Sequence, residues 1–91
     1  MNEVHHETIY FSGRVQGVGF RYLTSQVAQE FEVAGSVANL ADGRVQLEVE
    51  GAPDQVNAFV GAIEERMHGY IRKVDRHSDK RRPQFSGFSI R

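Results

Sequence analysis

An α+β sandwich, with two helices on one face of an antiparallel sheet, is the fold that this 91-residue sequence predicts. Three observations carry it. Apolar residues alternate with polar ones over residues 8–15 and again over 45–50, which is the period of a half-buried strand. Residues 20–31 and 53–67 instead space their apolar side chains as a helix does. The segments follow one another as β-α-β-β-α-β, the split β-α-β order of a ferredoxin-like sandwich. A chain this short holds one domain, 1–91.

The elements follow in order. Residues 1–6 read as a loose N-terminus. In the first strand Ile9, Phe11, Gly13 and Val15 alternate with Thr8, Tyr10, Ser12 and Arg14. The run Gly13 to Gly19, G-R-V-Q-G-V-G, is a loop. Phe20, Leu23, Val27 and Phe31, with Thr24 and Ala28 beside them, predict a helix over Phe20–Phe31. A weakly patterned strand from Gly35 to Leu40 meets the Asp42-Gly43 turn, and Val45, Leu47 and Val49 complete a hairpin. Pro53 suits a first helical position and Asp54 the positive helix N-terminus. Val56, Phe59, Val60, Ile63 and Met67 then form one apolar stripe, predicting a second helix over Pro53–Met67. Ile71 and Val74 are three apart, which fits a strand only with a bulge. Residues 78–84 read as a loop, and Phe88 and Ile90 as a short extra C-terminal strand.

Composition removes whole classes of chemistry. With no Cys, the chain has no disulfide, thiolate zinc site, iron–sulfur cluster or cysteine nucleophile. No apolar run approaches the ~18 residues of a membrane span, and MNEVHHETIYF lacks the basic start and apolar stretch of a signal peptide. The expected location is the cytoplasm. Net charge is −1, but unevenly spread: residues 1–69 carry −6 and residues 70–91 carry +5. The basic segment is broken by Asp75 and Asp79, a poor footprint for nucleic acid, and reads as a solvated strand and loop.

Chemistry points to Arg14-Val15-Gln16-Gly17-Val18-Gly19-Phe20-Arg21. This loop leaves a strand and opens a helix, where the first amides have no internal partner and the helix end is partly positive. Gly17 and Gly19 permit unusual backbone angles and close approach of a ligand. Such a loop can wrap its N–H groups around an anion. Arg21, in the first helical turn, opposes the helix dipole unless a phosphate lies between the two, and its planar fork matches phosphate oxygens. There is no G-x-x-x-x-G-K-[ST] and no complete G-x-G-x-x-G, which argues against a nucleotide triphosphatase or a dinucleotide binder. By pattern alone, a plain glycine turn and an anion site are equally good readings. In a split β-α-β unit the first two strands run parallel, so their C-terminal ends share one sheet edge. Asn39, ending the second strand, should therefore face the loop, either holding a water or forming the turn.

These residues resemble a known family. Gly13-Arg14-Val15-Gln16-Gly17-Val18-Gly19-Phe20-Arg21 is similar to the first signature of the acylphosphatases, and Gly35-Ser36-Val37-Ala38-Asn39-Leu40-Ala41-Asp42-Gly43-Arg44-Val45 to the second. Phe85-Ser86-Gly87-Phe88-Ser89-Ile90 resembles the family's C-terminus. The resemblance implies metal-independent hydrolysis of acyl phosphates to carboxylate and inorganic phosphate, with no cofactor. It implies that Arg21 binds the phosphate, that Asn39 orients the attacking water, and that the amides of Gln16, Gly17, Val18, Gly19, Phe20 and Arg21 form a cradle. Three positions depart from the pattern. Ala38 stands where a basic or polar residue is frequent, Ser36 where a bulky aromatic is common, and Ala41 in place of a frequent Pro.

Other residues read blandly. Adjacent His5 and His6 point to opposite sides of an extended chain and make a poor joint metal site with Glu3 and Glu7. Thr24 and Ser25 have no visible base to activate them as nucleophiles. Tyr10 and Tyr22 read as surface or rim residues, and Arg14 as a strand end that can add positive field. The competing reading is a non-catalytic module of the same fold that binds a phosphorylated ligand. RNA recognition would need paired aromatics on central strands, where this chain has Gln46 and Glu48. The expected partner is a small acyl phosphate, with no nucleic acid and no membrane, bound by a monomer.

Overall fold

The computed structural model describes residues 3–91. Its elements are β1 (Val4–Gly13), α1 (Phe20–Ala28), β2 (Val33–Asn39), β3 (Val45–Gly51), α2 (Pro53–Arg66), β4 (Ile71–Arg81) and β5 (Phe88–Ile90). They form one sheet in the order β4-β1-β3-β2-β5, the ferredoxin-like arrangement with β3 between β1 and β2. Every pairing is antiparallel except that of β5, which runs parallel to β2 and makes the sheet mixed.

Period-2 patterning builds the core. Ile9 and Phe11 of β1, Val37 of β2, and Val45, Leu47 and Val49 of β3 are fully buried under the helices. Phe20 and Val27 of α1 and Val56, Phe59, Val60 and Ile63 of α2 meet them. Phe11 and Phe20 pack with ring centres 5.0 Å apart, so the last turn of β1 and the first turn of α1 are locked on either side of the glycine loop. The bulge needed by the Ile71/Val74 spacing occurs where the β1–β4 register shifts at Ser12/Gly13.

Three boundaries differ from expectation by more than two residues. Residues 1–6 are not a loose terminus throughout: Val4, His5 and His6 pair with Arg81, Lys80 and Asp79, while residues 1–2 lie outside the described part. His6 is buried, with Nδ1 2.8 Å from Asp79 and Nε2 3.4 Å from Glu48, so a polar residue is fixed by partners rather than by apolar burial. Ser78–Arg81 continue β4 instead of opening a loop, for the same reason. Helix α1 stops at Ala28, because the N–H groups of Gln29, Glu30 and Phe31 bond three residues back, to Gln26, Val27 and Ala28, tightening the last turn. Phe31 still packs on Phe59, so its spacing reports core contact rather than helix.

The segment between β4 and β5 must pass from one sheet edge to the other. Glu50 anchors it: one carboxylate oxygen accepts the N–H groups of Gln84 and Phe85, each at 2.8 Å. Glu50 is 3% exposed and faces Arg81 at 3.7 Å.

Candidate active site

The loop from β1 to α1 keeps its amides unspent. Arg14 N–H bonds Tyr70 O at 2.9 Å, and Leu23 N–H bonds Gly19 O at 2.9 Å. Between them, among the described residues, no N–H from Gln16 to Arg21 reaches a main-chain acceptor. Gly17 and Gly19 make this possible. Their φ angles of 77° and 80° turn the chain through the left-handed region, where a side chain is strained. Gly19 is also the N-cap of α1, and open space surrounds both Cα positions.

A cleft of about 220 Å³ opens at this point, lined by Val15, Gly17, Gly19, Phe20, Arg21, Tyr22, Asn39 and Ile90. Five of the sequence-derived candidates, Gly17, Gly19, Phe20, Arg21 and Asn39, therefore share one cavity. Gln16 and Val18 do not line it. The Gln16 side chain turns away, donating to Leu40 O and Arg44 O, and Val18 is exposed on the loop. Asn39, exposed, ends β2 at the sheet edge where β1 also ends, as parallel strands on either side of β3 require.

Arg21 is the second residue of α1, and no acidic residue lies in that first turn to compensate it. Its Nη1 donates to the main-chain oxygen of Arg91 at 2.6 Å. Arg91 N–H in turn donates to Val37 O at 2.8 Å. The guanidinium is thus held from the end of β5, close to the helix N-terminus, and no Asp or Glu side chain among the described residues lines the cleft. Helix dipole, free amides and guanidinium all favour negative charge there. Nearby, the Arg44 N–H beside Asp42 is the main influence holding that carboxyl below its usual range, and the Arg44 guanidinium adds to it at 2.8 Å, so this pair is spent on the turn.

Sequence reasoning missed Ile90 and Val15 as lining residues and placed Tyr22 only loosely at a rim. The signal for Ile90 is the parallel β5–β2 pairing, in which Ile90 stands opposite Val37, two residues before Asn39. A three-residue strand carries no pattern that names its partner. The departures Ser36, Ala38 and Ala41 lie outside the cleft: Ser36 is buried and Ala38 half-buried within β2, and Ala41 is exposed in the turn.

A cleft that sets unspent amides and a guanidinium among apolar side chains, with no acidic side chain among the described residues that line it, suits a small multiply charged anion on a ferredoxin-like sandwich. The family model for acylphosphatase matches residues 7–90. An acylphosphatase of Methanospirillum hungatei is 38% identical over 79 residues, spanning 87% of this chain and 85% of that one. The crystal structure of acylphosphatase from Bacillus subtilis superposes with a TM-score of 0.85 at 31% identity, covering 94% of this chain and 97% of that one. An acylphosphatase structure from Coxiella burnetii gives 0.81 at 27% identity, covering 99% and 94%. The chain belongs to the acylphosphatase family, and its activity is the hydrolysis of acyl phosphates to carboxylate and inorganic phosphate.

Proposed function

We propose that catalysis needs only donors and one oriented water. The phosphoryl group sits on the unspent amides of Gln16 to Arg21, with the Arg21 guanidinium across two of its oxygens. Asn39 accepts a hydrogen bond from a water and aims it at phosphorus. The water oxygen forms a bond to phosphorus as the bond from phosphorus to the acyl oxygen breaks. That electron pair leaves on the carboxylate, and the water's proton passes to a phosphate oxygen. The leaving carboxylate is a weak base, so no general acid is required, and the amides and Arg21 supply the charge stabilisation. No metal or cofactor enters this scheme. The acyl group lies outward against Tyr22 and Ile90, both exposed at the mouth of the cleft.

The observation carrying this reading is the run of amides without main-chain acceptors, of which Gly17, Gly19, Phe20 and Arg21 share one cleft with Asn39. The remaining assignments are a single-domain monomer in the cytoplasm, acting on a small molecule and not on nucleic acid. Against nucleic acid, Arg76 and Arg81 of the basic segment are turned to Glu7, Glu48 and Glu50 of the same chain; among the described residues no helix is long and apolar enough to cross a membrane. The test is benzoyl phosphate hydrolysis in EDTA by the native chain, Arg21→Ala and Asn39→Ala. Loss of a preorganised donor lowers turnover by ~10²–10³. Turnover that survives the chelator and falls this far in both variants is expected. Full activity in either variant would overturn the role assigned to that residue.

A further inference from the structure

The polar groups assigned to the chemistry come from two separate stretches of chain. The cradle and Arg21 belong to the β1–α1 connection, and Asn39 to the end of β2. One side chain spans them. The half-buried Gln16 donates through Nε2 to Leu40 O at 2.8 Å and to Arg44 O at 2.9 Å. Leu40 follows Asn39 directly, and Arg44 precedes Val45, the residue paired with Asn39. The same two carbonyls also close the hairpin mouth, accepting from Gly43 N–H at 3.1 Å and Leu40 N–H at 2.8 Å. Gln16 therefore uses both hydrogens of its amide on the one turn that carries Asn39, while its own backbone begins the cradle.

We infer that Gln16 is a positioning residue, whose side-chain amide sets the distance and angle between the phosphate cradle and the water held by Asn39. This rests on the cradle reading above. Because its side chain lies outside the cleft, removing the amide leaves the cradle N–H groups and Arg21 to bind phosphate, but frees the Asn39 turn to drift. A misplacement of about 1 Å can cost ~10² in rate. A donor-free side chain of similar length therefore separates binding from turnover.

The experiment is a double-mutant cycle on Gln16→Met and Asn39→Ala, with benzoyl phosphate turnover and competitive inhibition by inorganic phosphate read for all four proteins. Gln16→Met is expected to lower kcat by about 10- to 10²-fold, with the inhibition constant for phosphate changed less than about threefold. In the Asn39→Ala background the same substitution should lower kcat no further. A general structural role predicts instead that phosphate affinity falls with kcat and that the loss persists without Asn39, and either result overturns the inference. A second variant covers poor folding of the first. In Gln16→Glu an ionised carboxylate faces two carbonyls, whereas its protonated form donates to one, so its kcat relative to the native chain should rise on acidification. A flat ratio would also overturn the inference. Failure of the cradle reading shows separately, as phosphate inhibition of the native chain that is insensitive to Arg21→Ala.

Discussion

Replacing Glu50 by Ala tests how the C-terminal segment is held to the sheet. Its carboxylate is 3% exposed and accepts two main-chain N–H groups, from Gln84 and Phe85, both at 2.8 Å. Hydrogen bonds to a charged group contribute about 1.5–3 kcal/mol each. Arg81, 3.7 Å away, also loses one of its two carboxylates and keeps Glu48 at 3.8 Å. Together these give a loss of about 3–5 kcal/mol for Glu50→Ala. That is a large part of the ~5–15 kcal/mol stability of a small domain. Glu50→Gln keeps an acceptor for the two N–H groups and removes only the charge, so it should lose less than half as much. Urea unfolding followed by circular dichroism measures both, with the slope compared to confirm a two-state transition. Equal midpoints for the Ala variant and the native chain would refute the anchoring role. Equal losses in Ala and Gln would refute the division between N–H acceptance and charge.

Two further perturbations separate conformational from electrostatic contributions. Glu7 is buried, which alone would raise its carboxyl, but hydrogen bonds from Arg76 and His5, then the charges of both, outweigh burial and hold it below the ordinary glutamate range. The folded state thus binds this proton less tightly than the unfolded chain. The stabilisation is complete above the unfolded value and is lost as pH falls through the lower folded one. Urea midpoints of Glu7→Gln and the native chain should therefore differ most at neutral pH and converge in acid, and a gap constant with pH would refute the assignment. Gly19→Ala meets no neighbour within 4 Å, yet must hold φ at 80°, so its expected loss of about 1–2 kcal/mol is torsional. Asn tolerates that region, and Gly19→Asn should recover much of the loss; equal losses would mean the cost is not torsional.

The parts of the fold legible in the sequence are those where one physical rule acts locally. Val45, Leu47 and Val49 alternate because one face of β3 is sealed under the helices, and Val56 to Ile63 repeat because α2 has one buried stripe. The glycine loop was legible because a strand-to-helix reversal demands left-handed backbone, supplied at Gly17 and Gly19. The illegible parts depend on distant partners. His6 becomes a strand residue by meeting Asp79, 73 positions away, and Glu50 becomes an anchor by accepting the N–H groups of Gln84 and Phe85. Neither partner alters local periodicity. The Gln16 amide bonds main-chain carbonyls, which every residue carries, so no side-chain pattern in the sequence betrays it.

The chemistry of the cleft also selects which phosphate compounds it can open. Val15, Gly17, Gly19, Phe20, Arg21, Tyr22, Asn39 and Ile90 include no carboxylic acid, histidine or cysteine. An alkyl phosphate would have to release an alkoxide, a base about as strong as hydroxide. Such a group leaves readily only when an acid protonates it, and donors such as amides and a guanidinium hold their protons too tightly for that. An acyl phosphate releases a carboxylate, whose conjugate acid has a pKa of about 4, so the departing oxygen needs no proton. What remains is to neutralise charge on the phosphoryl oxygens and to aim one water. In the proposed mechanism the first task falls to amides that this loop leaves without main-chain acceptors, and the second to an asparagine brought to the same sheet edge by the parallel course of β1 and β2. Under that mechanism discrimination for anhydrides over esters is expected, and grafting a carboxylic acid onto the rim of the cleft is the change that would erode it.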